Sequence, residues 1–191
     1  MPSPDLAEPV TQLRALGDDF AALDERINTL TVQPGTDALQ KITPLLLSCQ
    51  QLTAAALHQL TTLNTAAYTT LPGSRQGLDV LSATVAGAAL AGADLAAALS
   101  VNPFDASGFD TAPAGNDAAA RRLRQQDARP EMVRRFTDAA QQLSAASSAC
   151  HYLATGIAQA ASPTQAGPPH PAAVNRAAPD GIRPAPPGMR R

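Results

Sequence analysis

Between Gly77 and Ser100 the apolar residues recur at a spacing that alternates 3 and 4: Leu78, Leu81, Val85, Ala88, Gly92, Leu95 and Leu99. Residues so spaced fall on one face of an α-helix and cannot share one face of a strand. Three other segments repeat the pattern. Leu13, Leu16, Phe20, Leu23, Ile27 and Leu30 form one stripe. Leu39, Ile42, Leu46, Cys49, Ala56, Leu60 and Leu63 form a second, with Thr53 at one of its positions. Phe136, Ala140, Leu143, Ala146, Cys150, Leu153 and Ile157 form a third. No stretch alternates with period two.

Four amphipathic helices joined mainly by short turns predict an all-α protein, an antiparallel bundle. The expected helices span about 4–30, 36–71, 74–99, 116–126 and 130–161. The fourth is short, with Asn116-Asp117 as its cap. Pro130 is expected to open the last long one, a position where its missing N–H costs nothing. Pro44 either kinks the second helix or starts it after a Thr43 cap. Residues 1–161 thus form the bundle. Residues 162–191 hold eight of the chain's 17 prolines. Such a segment buries too little apolar area to offset its ordering entropy and is expected to be a disordered Pro/Ala/Arg tail with polyproline character.

Charge is distributed unevenly. Residues 42–74 and 139–175 contain no Asp, Glu, Lys or Arg. Bundle helices ordinarily carry charges on their outer faces, whereas here those positions hold Gln50, Gln51, Thr61, Thr62, Thr65, Gln141, Gln142, Ser147 and Ser148. The third helix goes further. Opposite its stripe lie Val80, Gly87, Leu90 and Ala97, with Asp94 as the one charge, and Gly87, Ala91 and Gly92 would let another backbone come close. Charge-depleted surfaces of small and apolar residues resemble interface cores. Val80, Gly87, Leu90 and Ala91 are therefore candidates for a partner surface.

Phe104 and Phe109 join them. They repeat within FDASGFD, in a loop marked by Asn102-Pro103, Ser107-Gly108 and Pro113. Their rings either close one end of the bundle or anchor a partner.

The first 37 residues hold seven acids against Arg14 and Arg26, whereas residues 121–135 hold Arg121, Arg122, Arg124, Arg129, Arg134 and Arg135 against Asp127 and Glu131. Salt bridges between the two patches are expected. Phosphate binding by the arginines is the alternative, without the interleaved aromatics that stack bases.

The residues that carry chemistry do not converge. Cys49 and His58 face opposite ways on a helix, and no CxxC, HxxxH or HExxH occurs, so no metal or cofactor is expected. Asp18-Asp19 and Asp24-Glu25 point away from the stripe as solvated charges. There is no phosphate loop, dinucleotide fingerprint or GxSxG, and no catalytic residue is assigned. Both cysteines lie on apolar stripes and read as buried thiols rather than nucleophiles, with a bridge between them open only if the helices set them at one height.

The opening MPSPDLAEP has neither the basic region nor the apolar run of a signal peptide, and cytoplasm is the expected address. Residues 80–99 have the length of a membrane span, but Ala and Gly dominate them and Asp94 interrupts them, so none is assigned. Thirteen arginines stand against Lys41 alone; with the Ala, Gly and Pro content this points to a GC-rich, bacterial genome.

The expected function is non-enzymatic protein binding, as a scaffold, adaptor or assembly subunit, through self-association or a helical partner. A nucleic-acid accessory role through Arg121 to Arg135 is one alternative, and a leaderless secreted bundle another. The Leu71-Pro72-Gly73 turn is similar to that of small leaderless-secreted hairpins carrying Trp-x-Gly. Leu stands in place of Trp, and no membership is assigned. In the tail, Pro168 to Pro171 and Pro184 to Pro187 have the spacing that docks in aromatic grooves.

Overall fold

The structure is a computed structural model and describes residues 6–65, 67–103 and 117–161. Four helices carry the fold: α1 (Ala7–Asn28), α2 (Thr36–Thr65), α3 (Ser74–Ser100) and α4 (Asp117–Ala161). A 3₁₀ turn, Ala67–Thr70, lies between α2 and α3. The helices form a ring in which α1 meets α2 and α4, and α3 meets α2 and α4. Neighbours run antiparallel, as short connections require. Phe104, Phe109 and the tail 162–191 fall outside the described residues, so the expectations placed on them stay as sequence readings.

The core has two parts. At one end Leu6, Val10 and Leu13 of α1 meet Leu63, Tyr68, Leu81, Leu153 and Ile157. The larger part runs to the other end through Phe20, Leu23, Ile42, Cys49, Leu95 and Leu143. Each such side chain, fully buried, contributes roughly 1.5–3 kcal/mol. The expected α1 stripe from Leu13 to Ile27 is buried throughout, and that of α4 nearly so, with Phe136 half-buried.

Two stripes are rotated from their expected positions. In α2, Ala38 and Leu45 are buried, while Leu39 is 42 % exposed and Leu46 half-buried. The inner face of α3 is Gly77, Leu81, Thr84, Ala88, Ala91, Leu95 and Ala98. It shares Leu81, Ala88 and Leu95 with the predicted stripe but turns small residues inward where larger ones were expected. The reason is position: α3 is wedged between α2 and α4, and close approach favours residues with little side chain. Leu78, Val85, Gly92 and Leu99 move to the half-buried margins.

The helix ends are held specifically. Gly35 and Gly73 adopt positive φ, 114° and 80°, in the two described turns. Buried Asn102, just after α3, donates from Nδ2 to the Gly35 carbonyl at 3.0 Å. Its Oδ1 accepts from the Gly35 N–H at 2.6 Å. One side chain thus ties the α1–α2 connection to the far end of α3. At Gly17 the His151 ring lies 2.8–3.0 Å from where a Cβ would stand, so that glycine lets α4 pack flat on α1.

α2 continues through Pro44 rather than starting there, and it ends at Thr65, before the 3₁₀ turn. The segment after the Phe loop corrects the sequence reading more sharply. Among the described residues there is no separate short helix, and Pro130 does not open the last one. α4 is a single helix of 45 residues, with Pro130 inside it. Proline there forfeits one hydrogen bond, to the Gln126 carbonyl. Residues 118–129 are mostly Ala, Arg, Gln and Leu, all strong helix formers. Ala128 and Met132 hold both flanks of Pro130 on the core. None of residues 118–131 is buried, and the α1–α2 connection meets α4 at Arg129, Met132, Val133 and Phe136. The first turns of α4 therefore run past the end of the bundle.

Candidate docking face on α3

Of the candidate interface residues in the described region, three remain at the surface and one does not. Ala91 is completely buried in the core and is withdrawn from the partner surface; the rotation of α3 placed it inside. Leu90 is 56 % exposed on the outer ridge. Val80 and Gly87 are half-buried in a groove of about 220 Å³ between α3 and α4, which Ala83, Gln142, Ala145 and Ala149 also line.

A second and larger groove, about 480 Å³, lies on the other side of the Leu90 ridge, between α2 and α3. Leu46, Gln50, Thr53, Ala54 and Leu57 form its α2 wall, and Ala89, Gly92, Ala93 and Ala96 its α3 wall. Neither groove is lined by a charged residue. Leu57 on the rim is 52 % exposed. A Cβ at Gly92 would stand 3.6 Å from Cys49 Sγ, an ordinary contact, so this glycine leaves space that the fold itself does not require.

The threonines make these helices more apolar than their composition suggests. Thr53 Oγ1 donates to the Cys49 carbonyl at 2.8 Å, Thr61 to Leu57 at 3.0 Å and Thr84 to Val80 at 2.9 Å. Each hydroxyl proton is spent on the carbonyl four residues back. This is how Thr84 occupies a core position, and it leaves the Thr53 hydroxyl satisfied within the α2/α3 groove. Ser147, read from the sequence as outward, is also buried.

Past its first turns, where Arg75 and Asp79 are exposed, α3 carries one further charge, Asp94, and it has a partner. Asp94 Oδ1 accepts from Arg135 Nη1 of α4 at 2.8 Å. Arg135 also reaches Glu131 at 2.9 Å, and Arg134 bridges Glu131 at 2.6 Å and Asp138 at 2.9 Å. The Arg134 guanidinium, seconded by Arg135, holds the Glu131 carboxyl down to about 2. For Arg134 and Arg135 these ion pairs correct the expectation that the arginine run would pair with acidic α1. Arg134 and Arg135 pair within α4 and across to α3. On α1, Asp18 instead faces His151, at 3.3 Å. Arg122, Arg124 and Arg129 are exposed on the first turns of α4, with Arg121 half-buried beside them.

Among the described residues, no three His, Cys, Asp or Glu side chains converge as metal ligands would. Cys49 and Cys150 are buried free thiols on helices that face each other diagonally across the ring. Cys49 Sγ donates to the Ala88 carbonyl at 3.3 Å. Burial pushes the Cys49 thiol up, and the Cys150 thiol up to about 11. Neither is a thiolate at neutral pH. α3 is long and apolar enough to cross a membrane; in this structure its inner face packs on α2 and α4.

The fold and this face define an antiparallel four-helix bundle with one uncharged, grooved side. The chain matches no protein-family model, no curated protein and no solved structure.

Proposed function

We propose that the protein is a helical protein-binding module that self-associates through the α2–α3 face. One observation carries this reading: ridge and groove lie side by side on the same uncharged surface. Leu57 and Leu90 project, while the alanine- and glycine-walled groove between α2 and α3 recedes. A two-fold axis would set the Leu90 ridge of one copy into the groove of the other, the self-complementary arrangement of an isologous dimer. Exposed leucines and small residues without charge gain from losing water and need no ionic partner.

The test is light scattering behind size exclusion, at low and high salt. A dimer that persists in high salt is expected for the natural chain. Leu90→Arg and Ala93→Arg, both at exposed positions, should give monomers with melting temperatures within a few degrees of the parent. A monomer at every concentration would remove self-association as the function of this face. A heterologous helix captured by that monomer would then be the occupant. A species that dissociates with salt and carries excess absorbance at 260 nm would instead favour phosphate binding by the exposed arginines of α4.

A further inference from the structure

Both tyrosines of the chain, Tyr68 and Tyr152, line one groove of about 300 Å³ where α4 runs out. It lies apart from the α2–α3 face, between the first turns of α3 and the last turns of α4. Tyr68, in the 3₁₀ turn, is buried, and its hydroxyl lies over Gly77, where a Cβ would collide with the phenol oxygen. Burial raises the pKa of this phenol, so it stays a neutral donor. Tyr152 stands 68 % exposed. Gly73 and Gly156 leave open space on the groove walls, and Gln76 and Gln159 supply side-chain amides. No residue lining the groove is ionised at neutral pH. Thr155, also in the wall, has its hydroxyl donated to the His151 carbonyl at 2.9 Å.

An uncharged slot with tyrosine and amide donors is the chemistry that holds a polyproline II segment. Proline rings lie against the aromatic faces, and the free carbonyls of that helix accept from phenol and amide. The chain carries a proline-rich segment at the right place. Gln159 and Ala160 line the groove, α4 is described as far as Ala161, and residues 162–191 contain eight prolines. Pro168, Pro169 and Pro171 lie about seven to ten residues past Ala161, on the order of 20–30 Å of reach if that stretch is extended. We propose that this groove is the docking site for the chain's own residues 162–191, with the Pro-Pro-His-Pro run at 168–171 against the exposed ring of Tyr152 and with Tyr68 in the groove wall. The tether supplies a local concentration on the order of millimolar, so a weak contact is enough to hold the segment.

The chain has two tyrosines, so tyrosine ring signals come from Tyr68 and Tyr152 alone. The test compares tyrosine ring resonances in three chains: the full chain, the full chain with Pro168→Ser, Pro169→Ser and Pro171→Ser, and a chain ended after Ala161, which keeps the whole described core. Ring signals of the triple variant are expected to move to those of the shortened chain. A synthetic peptide of residues 162–175 should shift the shortened chain back saturably, on the order of tenfold more weakly in Tyr152→Ala. Identical ring signals in all three chains would overturn the proposal. So would a shift that grows with protein concentration, which means the tail of a second copy. Equal binding of an unrelated proline-rich peptide would assign the groove to a foreign ligand and overturn it too.

Discussion

α1 and α3 bury comparable stripes and differ in what they show outward. α1 presents Arg14, Asp18, Asp19, Glu25 and Arg26 to solvent, whereas α3 from Val80 to Ala93 presents no charge. Both helices satisfy the core equally well: Leu13 and Phe20 on one, and Leu81 and Leu95 on the other, are fully buried. Burial therefore makes each a bundle helix and says nothing of partners. The outward face separates them. A charged face gains nothing from being covered, and an uncharged one with exposed leucines does.

The comparison breaks first at its equal half. Leu13→Ala in α1 and Leu81→Ala in α3 remove fully buried side chains from the same end of the core. Each should lower stability by about 2–5 kcal/mol in denaturant titrations. If Leu81→Ala were nearly free while Leu13→Ala was costly, α3 would not be a core helix.

A smaller effect tests how α3 is fixed to the connection that follows α1. Asn102→Ala leaves the buried N–H and carbonyl of Gly35 without their side-chain partner. A loss of about 1–3 kcal/mol is expected, with faster amide exchange around Gly35. Unchanged exchange there would show that the two hydrogen bonds do not hold this end.

The smallest effect concerns Asp94, the charge in the second half of α3. Asp94 shares Arg135 with Glu131, whose carboxyl is held at about 2 against an ordinary value of 4.5. A depressed carboxylate stabilises the fold above its unfolded pKa and loses that contribution as pH falls through the folded one. The melting temperature should thus decline slightly from pH 4.5 toward 2, and less so in Glu131→Gln. The same decline in both chains would place the acid sensitivity elsewhere.

Much of the fold was legible before any coordinates. The 3-and-4 spacing names four helices, and for α1 and α4 it names the buried residues, because their large side chains sit where the core requires them. α2 and α3 were legible only to within one position. With Ala, Gly, Thr and Leu on every side, hydropathy does not distinguish one helix face from its neighbour, and packing decides which residues turn inward. Hence Ala91 went to the core while Leu90 stayed out, and Thr53 joined a groove that composition did not announce. The continuity of α4 through Pro130 was hidden because a local rule for proline was outweighed by contacts on both of its flanks.

By itself the sequence determined the helical character of the chain, the two stripes with large residues and the absence of charge from 42–74 and 139–175. Those follow from local periodicity and composition. Only the tertiary structure decided how α3 is rotated, where the arginines find their acids, and that Tyr68 and Tyr152 meet in one groove. Each of these depends on residues far apart in the chain, and on which of several nearly equal faces fits its neighbours most closely.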